Sequence, residues 1–138
     1  MEVSKTHERW LVLLLRFGGL LTLSAFVAMF LPAAWMERIH RMLGLGPFPA
    51  GPLVDYLTRS ISALYGFHGG LLLLVSCDVR RHAPVVRYLG VMNILFGLLM
   101  LGIDLHAGMP AWWTFGEGPP VVVLGLALLY LIGKVAPE

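Results

Sequence analysis

Long apolar runs separated by short clusters of charge, glycine and proline dominate this chain. A helix that crosses a bilayer needs roughly 20 apolar residues, because the hydrocarbon core is about 30 Å thick and each helical residue rises about 1.5 Å. Four stretches approach that length, at about 10–31, 53–77, 85–105 and 119–135. The first carries Arg16 about two turns in, where a long side chain reaches back to the headgroups, and Pro32 ends it. Lys5 and Arg9 ahead of this run have the look of a secretory signal. The run is longer than a signal core, however, and Phe30 to Trp35 offers no small-x-small cleavage pattern, so it reads as a span.

The connections carry their own pattern. Between Trp35 and Leu43, apolar and charged residues alternate at helical spacing, which predicts a short interfacial helix over about 33–43. Gly44, Gly46, Pro47, Pro49, Gly51 and Pro52 then break the chain. Residues 78–84 form a short charged turn, and 106–120 a longer connection whose Trp112 and Trp113, like Trp35, suit the aromatic belt at a membrane surface. Pro119 and Pro120 lack the amide donor that a helix interior needs, which places them at the start of the last span. The expected architecture is all-α, an integral membrane four-helix bundle formed by residues 1–138 as one domain.

Composition supports a membrane protein. Of 138 residues 58% are hydrophobic and only 13% charged, with a mean hydropathy of +0.80, too few charges for the surface of a soluble domain of this size. The net charge of +2 comes from ten basic residues scattered between apolar spans, which form no continuous face for nucleic acid. They serve instead as topology signals. A cytoplasmic amino terminus puts Lys5, Arg9, Arg16, Arg80, Arg81, Arg87 and Lys134 inside and leaves Arg38, Arg41 and Arg59 toward the other side. Both termini are therefore expected in the cytoplasm, with the chain in a bacterial inner membrane. The single cysteine, Cys77, allows no intrachain disulfide and no cysteine metal motif.

Helical stepping of about 100° per residue aligns Asp55, Arg59, Ser62, Gly66, Gly69 and Ser76 on one face of the second span, and Gly90, Asn93, Gly97 and Asp104 on one face of the third. Small residues let helix backbones approach closely where lipid removes the ordinary hydrophobic drive. The two glycine-bearing faces are expected to meet, bringing Arg59 and Asp104 into an ion pair near the outer boundary. Asp55, Ser62, Tyr65 and Glu117 are further members of this polar cluster, which is either a clasp that fixes helix register or the lining of a cavity for a polar or amphipathic ligand. His68 and His106 invite a haem reading, but His68 lies about 140° from the polar stripe and several turns from the level of His106. No metal or other cofactor is expected. Ser60, Ser62 and Ser76 sit in no nucleophile elbow and no phosphate loop precedes a helix, which argues against an enzyme.

Four spans in under 140 residues, a long first connection, and Arg59 and Asp104 on the two middle spans give a layout that resembles the small bacterial four-helix membrane proteins of the broad DoxX-like kind. Some of those are linked to thiosulfate and quinone redox chemistry, which the lone Cys77 does not support here. The functional expectation is a small polytopic protein that is a subunit of a membrane assembly or homo-oligomer, or binds a lipid-like molecule. A membrane-embedded redox or quinone/lipid-modifying subunit and an oligomeric transporter or channel are the alternatives.

Overall fold

A computed structural model describes residues 2–136. Among them there is no strand, and six helical segments follow one another: α1 (Glu2–Leu23), α2 (Ala25–Met29), α3 (Ala33–Met42), α4 (Pro52–Val75), α5 (Ala83–Ala107) and α6 (Ala111–Val135). Three helical runs are long and apolar enough to cross a membrane: Lys5–Met29, which joins α1 to α2, Ala83–Ala107 and Ala111–Val135. The expected span at 53–77 is a helix of the right length, but Asp55, Arg59, His68 and three glycines dilute its apolar character and leave it outside that set.

The described chain divides into two compact units, residues 1–15 with 75–138, and residues 16–74. In the first, α5 and α6 are antiparallel neighbours joined by the tight link Gly108 to Pro110. Gly108 takes the left-handed conformation (φ 68°) and its amide donates to the Asp104 carbonyl, closing α5 where a side chain would be strained. Pro110, extended at ψ 142°, then opens α6. Helix α6 therefore starts eight residues before the expected position and carries Pro119 and Pro120 in its interior. The expectation that these prolines mark a helix start fails because α6 is already under way from Ala111 and continues through both of them to Val135. Such prolines are tolerated in apolar spans, where neighbours re-satisfy the freed carbonyls.

Two glycine pairs set the distance between α5 and α6. A Cβ on Gly97 would stand 2.6 Å from the Gly118 carbonyl, and one on Gly125 would stand 2.6 Å from the Gly90 carbonyl. The pairs are seven residues apart on each helix, two turns, so the same face recurs along both. Asn93 is not part of this seam through its amide, which donates back to Leu89 of its own helix at 2.7 Å. Leu11, Leu15, Val75, Val79, Val86, Leu128, Ile132 and Val135 are almost fully buried in this unit.

In the second unit α4 packs its own glycines elsewhere. A Cβ on Gly66 would strike the Phe26 ring, and one on Gly69 would strike the Leu23 amide nitrogen. The sequence expectation that the glycine faces of α4 and α5 meet each other is thus corrected: α5 spends its face on α6, and α4 spends its face on the α1–α2 run. That run is interrupted at Ser24, whose hydroxyl donates to the Leu21 carbonyl at 2.6 Å while Thr22 donates to Gly18 at 2.8 Å. Hydroxyls that bond back to the preceding turn compete with the helical ladder and bend it.

Replacing Gly97 by Leu should force α5 and α6 apart and cost about 1–3 kcal/mol, the usual penalty for overpacking a close contact. Gly102, whose Cβ would meet nothing within 4 Å, is the control: Gly102→Ala should be neutral or stabilising by up to about 1 kcal/mol. Thermal unfolding in mild detergent separates the two, and equal effects would contradict the seam.

Candidate functional site

The sequence-derived polar cluster falls into separate environments. Asp55 and Arg59, one turn apart on α4, form an ion pair at 3.0 Å. The Arg59 guanidinium also donates to the carbonyls of Met29 and of Leu31, the latter at 3.3 Å. These acceptors stand at and just beyond the end of α2, where helix carbonyls lack intrahelical partners and a cation is favoured. Arg59 is therefore a cap for the α2 terminus, and the expected Arg59 to Asp104 ion pair gives way to these local partners. Ser62 is buried and Tyr65 half-buried on the same helix. With side chains 34% and 49% exposed, the Arg59–Asp55 pair itself is screened by solvent and adds little to stability.

Asp104 is the buried member. It is 3% exposed, and its Oδ2 has no hydrogen-bond partner among the described residues. Its place follows from the α5–α6 seam. Gly90 opposes Gly125 and Gly97 opposes Gly118, so one further step of seven residues sets Asp104 across from Ala111, in the first turn of α6, with buried Thr114 one turn on. The Trp113 and Thr114 amides at that end of α6 are taken by the Pro110 carbonyl, so they do not supply Asp104 with a partner.

Glu117 does not join Asp104. Because α6 begins early, Glu117 lies in its second turn and accepts a hydrogen bond from the indole N–H of Trp113 at 2.6 Å. Trp112, 53% exposed, meets the Trp113 ring edge to face at 5.5 Å. Both tryptophans thus belong to the first turn of α6 rather than to a loop. Trp35, 58% exposed on α3, sits with Ile39 and Met42 on one uncovered apolar stripe, the face expected of an interfacial helix.

A shallow groove of about 320 Å³ lies in the second unit, lined by Ala33, Ala34, Glu37, Phe48, Pro49, Ala50, Gly51 and Asp55. Glu37 organises it, accepting from the Arg41 guanidinium on α3 and from the Phe48 amide across the loop. The Arg41 hydrogen bond, and next that of Phe48, hold the Glu37 carboxyl below its ordinary range. Neither Glu37 nor the groove was legible from spacing, since the Phe48 contact bridges eleven residues of glycine- and proline-rich chain.

Two arginines assigned in the sequence to topology alone have structural partners. Arg80 donates to Glu8 at 2.8 Å and to the Val135 carbonyl at 2.9 Å, and Arg87 donates to the Ala136 carbonyl. Together they cap the carboxyl end of α6. The signal available in the sequence was the antiparallel order itself, which brings the start of α5 beside the end of α6.

Among the described residues no three histidine, cysteine or acidic side chains group to hold a metal. His106 is exposed at the end of α5, and His68 is half-buried on α4. No family model, no curated protein and no solved structure matches this chain.

Asp104→Asn keeps the shape of the side chain while removing a carboxylate whose Oδ2 lacks a direct partner among the described residues. Its melting temperature should equal or exceed the parent's, with a change within about 1 kcal/mol. A large loss would mean that the carboxylate has a strong partner. A second expectation concerns Glu37. A folded pKa held low contributes stability that is complete above the ordinary carboxylate range and lost as pH falls through the lowered value. Protection of the Phe48 amide from hydrogen exchange, corrected for intrinsic rate, should follow that course, and Glu37→Gln, which cannot titrate, should remove its pH dependence.

Proposed function

We propose that the chain is a small multi-pass protein of the bacterial inner membrane that works without turnover as a subunit of a membrane assembly, with α4 as a fourth crossing and both termini cytoplasmic. The observation that carries this reading is how little of each span the chain covers for itself. Only 17%, 22% and 33% of the core windows of the three apolar runs are buried, so most of their side chains must face lipid or other helices. A bundle this small leaves little room for a translocation path, and its polar groups are spent on helix ends. Arg59 caps α2, Arg80 and Arg87 cap α6, and Glu117 holds Trp113.

A fourth crossing by α4 is supported by its 24 residues, about 36 Å of helix, and by the apolar run Leu71 to Val75. Asp55 and Arg59 lie in its first two turns, where charges reach the headgroups. The basic residues of the 78–84 turn and of Lys134 favour one common side for that turn and both termini. A second reading, a binder of a lipid-like molecule, rests on the groove beside α3, whose mostly apolar lining includes two carboxylates, Glu37 and Asp55.

Topology tests the first reading. In a Cys77→Ser background, Ala50→Cys and Ala107→Cys should react in intact cells with a membrane-impermeant maleimide, whereas Arg81→Cys and Ala136→Cys should react only after permeabilisation. If α4 stays on one side, Arg81→Cys and Ala136→Cys will label from outside and Ala107→Cys will not. Native purification followed by mass spectrometry separates the two functions: stoichiometric partner polypeptides support the subunit, and a stoichiometric lipid without them supports the binder.

A further inference from the structure

One end of the first unit gathers the basic residues. Glu8 on α1 reaches Arg80, Arg80 reaches Val135, and Arg87 reaches Ala136, so the start of α1, the 78–82 turn, the start of α5 and the end of α6 share one level. Lys5, Arg9, Arg80, Arg81, Arg87 and Lys134 lie in these segments, against Glu2, Glu8 and Asp78 in the same segments and Glu138 after them in the sequence. Arg80 and Arg87 are occupied by the contacts just named. Arg81 and Lys134 are exposed. Lys134 lies over the Tyr130 ring, 5.6 Å from its centroid, which steadies the side chain while leaving the ammonium group outward. Asp78 takes the Arg81 backbone amide at 3.0 Å and so turns the local carboxylate toward the main chain.

Exposed aromatic side chains lie inward along the same helices: Trp10 and Tyr88 directly follow Arg9 and Arg87, Tyr88 is seven residues past Arg81, and Tyr130 is four residues before Lys134. Trp10 is 59% exposed, Tyr88 61% and Tyr130 60%. Tyr130 is level with His7, whose ring it meets edge-on at 6.1 Å. Aromatic residues at that depth mark the glycerol level of a bilayer, and cations one to two turns beyond them stand at the phosphates. Charge and belt agree on what covers this end.

We propose that this end of the first unit is a binding surface for the phosphate of an anionic phospholipid, gripped by Arg81 and Lys134 with Tyr88 and Tyr130 against the glycerol region. The proposal rests on the membrane reading and adds a lipid class to it. Basic side chains near a membrane surface each favour an anionic headgroup about fivefold. The contact is electrostatic and weakens with salt.

Native mass spectrometry of the detergent-solubilised chain tests it, with phosphatidylglycerol, phosphatidylcholine and inorganic phosphate as separate additions. Phosphatidylglycerol should be retained at least about fivefold more than phosphatidylcholine. That preference should fall in the Arg81→Gln/Lys134→Gln double variant, hold in Arg38→Gln, and collapse in the parent protein at raised salt, a check that needs no variant to fold. Equal retention of the two lipids, a preference untouched by the double variant, or displacement of the lipid by inorganic phosphate alone would overturn the proposal. A chain that stays soluble without detergent would instead overturn the membrane reading beneath it.

Discussion

Hydrocarbon gives helices neither water to hydrogen-bond nor a hydrophobic reason to associate, so what holds two of them together must come from close contact. In this chain that contact is glycine against backbone. Gly90 with Gly125 and Gly97 with Gly118 let α5 and α6 approach to a separation that a single methyl group would forbid. The other arrangements in the first unit follow from it. The register of this seam places Asp104 at the start of α6, and the antiparallel order brings Arg80 and Arg87 to the carbonyls at its end.

Helix termini account for most of the polar chemistry. Arg59 closes α2, two arginines close α6, and Gly108 closes α5. Each terminus leaves unsatisfied backbone groups that are costly away from water. A chain with few charged residues directs them to those places. The polar residues named here serve helix ends, and the proposed function turns on partners and lipid.

How far the sequence discloses this differs by element. Helical class and the three apolar runs were legible, because twenty apolar residues in a row have few alternatives. The glycine periodicity was legible too, but not its partner: a stripe on one helix states that something approaches closely and not which helix does. That is how the faces of α4 and α5 came to be matched with each other. The start of α6 was hidden by Pro119 and Pro120, whose usual meaning at a helix start gave way to the extended Pro110 nine residues earlier. Among the site residues, the Asp55–Arg59 spacing was plain at one turn, whereas Glu37 depended on a loop whose path no periodicity describes.

The account stands on the chain lying within a bilayer, held there by its apolar runs, and alkaline extraction of native membranes tests this most directly. The chain should remain with the membrane pellet after a carbonate wash that strips peripheral proteins, and should leave it only with detergent. Release into the carbonate supernatant would contradict the account at its base.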